Sequence, residues 1–239
     1  MKHVALQEPP TLRELSWSDH SSSDATQLTS PGRVGAHQPA FMQLYYAMEA
    51  RNVGTSSLVV QFISPTPKAG VSVTTSGYAR VAAEASAEPV LFVDAGCRDL
   101  NLVDRLPEHA SLVQAFQNHR PLRHVIIPAQ NARNLYWARL CEGQGSLLNL
   151  GIEKLRSLLD ELRRNHSLVV LDCGSRMAAE ATSISRYCDG SILVVEAGRT
   201  SQSEILAARR QIERVGGQVI GLVLNRERGR SERRNQEFA

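Results

Sequence analysis

The chain has 239 residues, of which 42% are hydrophobic and 21% charged, enough for one large domain with a sizeable core. Its formal net charge of +3 is too small to indicate nucleic-acid binding, and no apolar run in the sequence reaches the roughly 18 residues of a membrane span. The first residues lack the basic-then-apolar order of a secretory signal, so we predict a cytoplasmic protein. The four cysteines lack C-x-x-C spacing, and we expect them to be reduced and not to bind metal.

Residues 1–38 are rich in Ser, Thr, Pro, Gln and His and have little apolar periodicity, so we predict that they form a flexible leader. A short amphipathic helix at 12–17 is an alternative for part of it. Apolar residues then recur at helical spacing over 40–51, which predicts a helix at the edge of a sheet. Tyr45 and Tyr46 on this helix are expected to pack rather than to be phosphorylated.

The next stretch has the layout of a phosphate-binding loop. A buried strand is predicted at Leu58–Ile63, followed by a loop and by a helix that starts within 71–75. In such loops the backbone N–H groups at a helix N-terminus hold an anion. Compared with the pattern G-x-x-x-x-G-K-[ST], the chain keeps the second glycine as Gly70 and the hydroxyl as Ser72. Val71 stands where a lysine would neutralise the β- and γ-phosphates.

Two more features of the loop bear on phosphate binding. Pro65 and Pro67 have no backbone N–H to donate. Lys68 lies three residues before Val71, and it is either a solvent-exposed loop lysine, which we favour, or a substitute cation whose flexible stem swings over a phosphate.

The remainder of the chain alternates strands and helices. After a helix at 72–87, strands are predicted at Val90–Asp94, 124–127, 167–172, Gly190–Glu196 and 218–225. Helices are predicted within 100–117 and at 152–164, 178–186 and 202–215. A polar surface loop is predicted at 131–140, and Ile152 is placed on the apolar face of its helix. This alternation predicts an α/β fold with a mostly parallel sheet and helices on both faces. Together with the layout of the phosphate loop, it indicates a three-layer P-loop NTPase-like fold.

Two of these strands end in a carboxylate, Asp94 and Asp172. Functional groups of parallel sheets sit at the carboxyl ends of the strands, so we expect both side chains to converge on the loop. In a working nucleotide hydrolase such carboxylates hold magnesium and help to position the attacking group. Each could alternatively be a helix N-cap.

The order of the loop and four later segments resembles the cytoplasmic domain of bacterial tyrosine autokinases, which govern capsule and exopolysaccharide export. These segments are VLFVDAGCRDLNL at 90–102, LVVLDCGS at 168–175, DGSILVVEAGRTSQSEI at 189–205 and VIGLVLNR at 219–226. The autokinases belong to the wider clan of septum-site and partition ATPases with a deviant phosphate loop. The resemblance covers roughly residues 40–226.

The resemblance implies roles for individual residues. Ser72 would supply the magnesium-ligand hydroxyl, and Asp94 and Asp172 would be the second and third acidic motifs of a metal site. Asp94 would also act in catalysis, by helping to deprotonate the acceptor tyrosine.

The same resemblance implies a nucleotide site. Lys68, Gly70 and Ser72 would contact the phosphates, and Asn225 would lie near an adenine edge; a turn or cap residue is the alternative for Asn225. No cofactor is assigned with certainty, and ATP and Mg²⁺ would bind only if this site is retained.

Several departures from the pattern of the autokinases count against such a site. Val71 replaces the phosphate lysine, and Gly96 stands where the pattern usually has a further aspartate. A glutamate and two arginines used for ring assembly would fall on Pro39, Met42 and Tyr45, and none matches. The cluster of C-terminal tyrosines that serves as the autophosphorylation substrate is also missing, since all five tyrosines precede the last predicted strand.

We therefore divide the chain into a flexible leader at 1–38, a tyrosine-autokinase-like domain at 39–226 and a basic tail at 227–239. The tail is interpreted as a solvated run of charges, with contact to an anionic lipid, an acidic partner or nucleic acid as alternatives.

The missing lysine, the loop prolines and the missing tyrosine cluster favour a non-catalytic protein. We interpret the chain as a regulatory or assembly subunit of an exopolysaccharide synthesis and export complex. The resemblance implies a membrane polysaccharide co-polymerase or chain-length regulator, or other exopolysaccharide machinery, as partner, with self-association also open and no nucleic acid expected. Through such a partner the protein would lie at the inner membrane.

Two alternatives stay open. One is an active ATP-binding tyrosine kinase or ATPase that uses Lys68 and phosphorylates a separate partner. The other is a partition- or septum-site-type positioning ATPase that dimerises over nucleotide.

Overall fold

The computed structural model describes residues 38–50, 56–96, 111–129, 132–141, 150–174 and 179–226. Within these ranges the strands are β1 Leu58–Ile63, β2 Val90–Asp94, β3 Ile127–Pro128, β4 Leu135–Arg139, β5 Leu168–Asp172, β6 Gly190–Glu196 and β7 Val219–Asn225. The α-helices are α1 Gln38–Glu49, α2 Val71–Ala85, α3 Leu112–Gln117, α4 Ile152–Asn165, α5 Ala179–Ile184 and α6 Gln202–Arg214. Two 3-10 helices lie at Leu122–His124 and Ser185–Tyr187.

The seven strands form one sheet in the order β3-β4-β2-β5-β1-β6-β7. Every pairing is parallel except that of β3 with β4, which is antiparallel. The predicted mostly parallel α/β fold is therefore confirmed. Strand β1 lies near the middle of the sheet, between β5 and β6, so the loop that follows it is flanked by the ends of other strands.

Helices cover both faces of this sheet and make three layers. All residues of β1, β2 and β5 are buried, as expected for strands that contribute apolar side chains to both faces. One hydrophobic cluster packs the sheet against α1 and α2, and a second packs it against α3, α4, α5 and α6. The apolar face of α4 is the clearest helical case, with Leu155, Leu158, Leu159 and Leu162 buried.

The prediction of a polar surface loop at 131–140 is wrong, because strand β4 occupies Leu135–Arg139. β4 pairs in parallel with β2, and Leu135 and Trp137 are buried against the sheet. The apolar run of this strand is only four residues long and is flanked by basic and polar residues, so its periodicity did not indicate a strand. Pairing with β2, which is remote in sequence, supplies the burial that local patterning did not indicate.

Three other expectations need correction. The predicted strand at 124–127 is mostly replaced by the 3-10 helix Leu122–His124, and only the two-residue β3 remains extended nearby. Ile152, the first residue of α4, is exposed, because the buried face of this helix begins one turn later, at Leu155. Tyr46 is 63% exposed and its ring contacts that of Tyr45 edge-on, with the ring centres 5.8 Å apart, whereas Tyr45 is half-buried and packs against the core.

The cysteines also differ from expectation. Cys173 and Cys188 are free, but Cys141 is disulfide-bonded, so the expectation that all four cysteines are reduced is wrong. Among the helices that the structure describes, none is both long and apolar enough to cross a bilayer. The described residues do not include the predicted tail at 227–239 or residues 97–110. They include only Gln38 of the predicted leader, and α1 begins at this residue.

Candidate functional site

The candidate site lies at the carboxyl end of the sheet, where the phosphate-loop segment at 64–70 joins β1 to α2. Strand β1 is followed directly by this loop, and α2 begins at Val71 as the sequence predicted. Asp172, the last residue of β5, is paired with Phe62 of β1. The loop therefore starts beside one of the two predicted carboxylates.

Hydroxyl groups tie the loop to the turn after β6. The Thr66 N–H donates to Ser64 Oγ at 3.2 Å, and the Thr66 and Thr200 hydroxyl oxygens lie 3.0 Å apart. Thr200 Oγ1 in turn accepts the Glu196 N–H at 3.0 Å. Ser64 and Thr66 are both buried, so these bonds hold the phosphate loop against the turn after β6. The Thr66 N–H is thereby used within the protein.

Gly70 and Asn225 form the second support of the loop. Gly70 has φ +85°, a left-handed conformation that glycine adopts without strain, and a Cβ there would overlap the Asn225 side-chain amide. Asn225 Nδ2 donates to the Ala69 carbonyl at 2.8 Å, and Asn225 Oδ1 accepts the Arg226 N–H at 2.9 Å. Both ends of this amide are thus bonded to the backbone. The role of Asn225 toward adenine stays a prediction.

The residue at the position of the phosphate lysine lies inside the protein. Val71 is only 2% exposed and belongs to the hydrophobic cluster under α1 and α2. Its neighbour Ser72, the predicted magnesium ligand, is partly exposed in the first turn of α2. Lys68 is exposed and has φ +64°, which is unusual for a residue with a side chain.

The two strand-end carboxylates are brought together by the sheet. Asp94 and Asp172 are direct register partners on β2 and β5, and both are buried. Each caps the turn that follows it: Asp94 Oδ1 accepts the Gly96 N–H at 3.1 Å, and Asp172 Oδ1 accepts the Gly174 N–H at 2.9 Å. The two carboxylates therefore lie side by side at the carboxyl end of the sheet, and each accepts the N–H of the turn that follows it. Their role in a metal site stays a prediction.

A charged group lies at the rim of the loop. Glu196, at the end of β6, forms ion pairs of 3.2 Å with both Arg199 and Arg226. The side chains of Arg199 and Arg226 are 53% and 44% exposed, whereas that of Glu196 is only 14% exposed. Arg226 adopts φ +59°, and its backbone N–H is held by Asn225. The first arginine after β7 is therefore bound to the domain.

A buried polar cluster beneath the site was missed by the sequence reasoning. Gln61, in the middle of β1, is fully buried and donates to Ser185 Oγ at 2.5 Å and to Ser191 Oγ at 2.8 Å. Cys173, directly after Asp172, donates its thiol to Gln61 Oε1 at 3.5 Å. The available signal was a single glutamine in the apolar run LVVQFI.

The buried position of Cys173 in this cluster determines the protonation state of its thiol. Burial is the main cause that raises the pKa of Cys173, and the nearby Cys188, Asp172 and Asp94 raise it further. The thiol therefore stays protonated and poorly nucleophilic at neutral pH. Within the described ranges, no group of three or more His, Cys, Asp or Glu side chains is arranged to hold a metal ion.

Comparison with known sequences finds a partial relationship, and no family model matches the chain. Over 84 residues the chain is 29% identical to tyrosine-protein kinase CpsD of Streptococcus agalactiae serotype III. The match covers 35% of this chain and 33% of that protein, so it spans about a third of the curated relative's length.

Comparison with solved structures covers much more of the chain. The kinase domain of Escherichia coli tyrosine kinase ETK has a TM-score of 0.71 at 21% identity, over 81% of this chain and 77% of that one. The Pyrococcus furiosus cell division ATPase MinD has a TM-score of 0.57 at 18% identity, over 76% and 79% of the two chains. At these identities the similarity shows a shared fold. The predicted resemblance to bacterial tyrosine kinase domains and to septum-site ATPases is thereby confirmed.

Proposed function

We propose that this chain is a tyrosine-autokinase-like protein of exopolysaccharide biosynthesis that acts by binding partners and does not hydrolyse nucleotide. It would serve as a regulatory or assembly subunit of the synthesis and export complex. In this view the leader at 1–38 and the tail at 227–239 flank one binding domain at 39–226.

The observation that carries the proposal is the burial of Val71. A triphosphate needs a cation at this position, and an apolar side chain that is 2% exposed and packed in a hydrophobic cluster cannot provide one. Preorganised charges of this kind stabilise transition states by about 3–4 kcal/mol, so the loss of one slows a reaction by about 10²–10³-fold.

The backbone donors of the loop support the same conclusion. Pro65 and Pro67 have no N–H, and the Thr66 N–H donates to Ser64 Oγ. The Asn225 amide lies against Gly70, where it fills space beside the loop. These residues do not fit a triphosphate, so we derive no catalytic step through ATP or magnesium. The buried carboxylates Asp94 and Asp172 would keep a turn-capping role.

The proposed partner is a membrane polysaccharide co-polymerase, or chain-length regulator, that would bring the protein to the inner membrane. The connection to polysaccharide comes from the resemblance to the autokinases and is part of the proposal. Helix α1 supports a mode of association unlike their ring assembly, because it carries Pro39, Met42 and Tyr45 in place of a glutamate and two arginines.

The test is a measurement of ATP and ADP binding with magnesium by isothermal titration calorimetry, together with ATP hydrolysis and tyrosine phosphorylation assays. We expect no micromolar binding and no turnover. Micromolar binding with turnover would overturn the proposal. Nucleotide-dependent dimers in light scattering would instead favour a positioning ATPase of the partition or septum-site type.

A kinase or ATPase that uses Lys68 is the second candidate, because this side chain is exposed within the loop and has a flexible stem. Lys68→Ala should abolish activity if this candidate is right. Lys154→Ala is the matched control, since Lys154 is an exposed lysine on α4. Equal activity of the two variants and the unmodified chain would exclude a role for Lys68.

A further inference from the structure

The two edges of the sheet differ in how they are protected from further pairing. One edge strand, β3, is only two residues long and contains Pro128, which has no N–H to donate. The other edge strand, β7, is seven residues long, and its sequence VIGLVLN has neither a charge nor a proline. Strand edges pair with other strands unless such features block them. The β7 edge has none of these features in its own sequence.

The outer side of β7 presents backbone groups for pairing. The Asn225 carbonyl accepts the Ala197 N–H at 2.8 Å, so the backbone groups of Asn225 point toward β6. Successive residues of a paired strand direct these groups to alternate sides, and the N–H and C=O groups of Leu222 and Leu224 therefore point outward. No strand among the described residues pairs with this side. The outer side of β7 is thus a template for one more strand.

Helix α6 lies beside this edge, because it connects β6 to the outermost strand β7. Leu206, Arg209 and Glu213 are exposed and follow one another at spacings of three and four residues, which places them on one flank of the helix. Gln211 and Val215 on the opposite flank are half-buried, and α6 contacts α5. The exposed flank therefore faces away from α5, over the free edge of β7.

This flank carries an apolar side chain and a balanced pair of charges. Leu206 is 43% exposed, and Arg209 Nε lies 2.7 Å from Glu213 Oε1 within the helix. A helix rises about 1.5 Å per residue and a strand about 3.3 Å. Counted from the turn at 215–218, Leu206 and Leu222 thus lie at the same height, roughly 13 Å above the turn. A two-fold axis at this height would place each of these leucines opposite its own copy.

We propose that β7 pairs with β7 of a second copy of this chain, antiparallel about a two-fold axis beside Leu222, so that the two sheets join into one. Leu206 would meet its copy above the joined sheet. Arg226, directly after β7, would lie opposite the uncharged Gln218 of the second copy, so no like charges meet across the axis. A second copy is favoured over an unrelated strand because it covers the exposed Leu206 as well as the backbone edge.

This dimer is independent of the phosphate loop, so it would form whether or not the chain binds nucleotide. The experiment is analytical ultracentrifugation of the full chain over a series of concentrations without nucleotide, together with hydrogen exchange of the β7 amides by NMR. We expect a dimer of twice the chain mass of 26.3 kDa. We also expect slow exchange of the Leu222 and Leu224 N–H groups, as slow as that of Val223, whose N–H points toward β6.

Several outcomes would overturn the proposal. A monomer at every concentration would do so, with fast exchange showing that the edge is free and slow exchange showing that the chain's own residues cover it. A dimer in which the Leu222 and Leu224 N–H groups exchange fast would mean that another surface associates. A dimer that forms only with ATP would place the contact at the phosphate loop.

Leu206→Glu tests the helix side of the contact. Two glutamates would face each other at the axis, so we expect the dissociation constant of the dimer to rise by about tenfold or more. Ile152→Glu is the matched control, because Ile152 is an exposed apolar residue of α4, and it should leave the dissociation constant unchanged. Equal dissociation constants for Leu206→Glu and the unmodified chain, or equal weakening by both variants, would contradict the proposal.

Discussion

The loop after β1 and the ends of β2 and β5 lie side by side at one edge of the sheet, yet they differ in chemistry. The strand ends keep two aligned carboxylates, Asp94 and Asp172, each with the turn bond that holds it. The loop keeps the shape of an anion site, with a left-handed Gly70 before a helix, but an apolar residue takes the place of its cation. The difference teaches that the backbone shape of a phosphate loop can form around a buried apolar residue, whereas the two buried carboxylates are held by hydrogen bonds to the turns that follow them.

The largest effect is expected from Val71→Lys. A lysine placed in this hydrophobic cluster buries an unpaired charge, and we expect a loss of about 3–5 kcal/mol in the free energy of unfolding, measured by urea denaturation. Val73→Lys is the matched control on the same helix, because Val73 is 45% exposed, and it should be nearly neutral. A stable Val71→Lys protein that binds ATP would show that the loop lacked only its cation.

The next effect concerns the shape of the loop itself. Gly70→Ala should cost about 3 kcal/mol, because the left-handed φ is strained for alanine and the new Cβ overlaps Asn225. Gly96→Ala tests the strand-end side, where the nearest atoms to a new Cβ lie at 3.6–3.7 Å and φ is not left-handed. Gly96→Ala should leave the melting temperature nearly unchanged. Equal losses of stability from Gly70→Ala and Gly96→Ala would show that the loop and the strand ends do not differ in their backbone constraints.

The polar cluster beneath both regions should give a moderate effect. Gln61→Leu preserves volume but leaves Ser185 and Ser191 without their partner, so we expect a loss of about 2 kcal/mol in thermal or urea unfolding. Gln202→Leu, at an exposed glutamine on α6, is the control and should be almost silent. A neutral Gln61→Leu would mean that the cluster does not support the strands next to the loop.

The smallest effect is a pH dependence far from the loop. Burial lowers the pKa of His166, whose ring nitrogen Nδ1 is 2.9 Å from the Leu162 carbonyl oxygen. The unfolded chain therefore takes up this proton more readily than the folded one. Stability should be full above the unfolded pKa of about 6.5 and fall as the pH drops through that value. His166→Asn should flatten this dependence in melting curves, and His124→Asn, at an exposed histidine, should leave it unchanged.

Much of the fold and part of the site could be predicted from local patterns. Strands β1, β2 and β6 have the predicted bounds, because fully buried strands are continuous apolar runs bounded by turn residues. The pairing of Asp94 with Asp172 follows from their places at the ends of two parallel strands. Strand β4 was missed, since its burial depends on β2, more than 40 residues away in the sequence.

The sequence by itself determined the alternating order of strands and helices, the position of the loop and the absence of its lysine, because these depend on residue type and short-range periodicity. Only the tertiary structure decided that Val71 is buried in a hydrophobic cluster, that Asn225 supports the loop backbone, and that β7 lies at an edge of the sheet. The physical reason is that these contacts join segments distant in the chain. Their geometry is set by how the layers pack, and no local pattern carries that information.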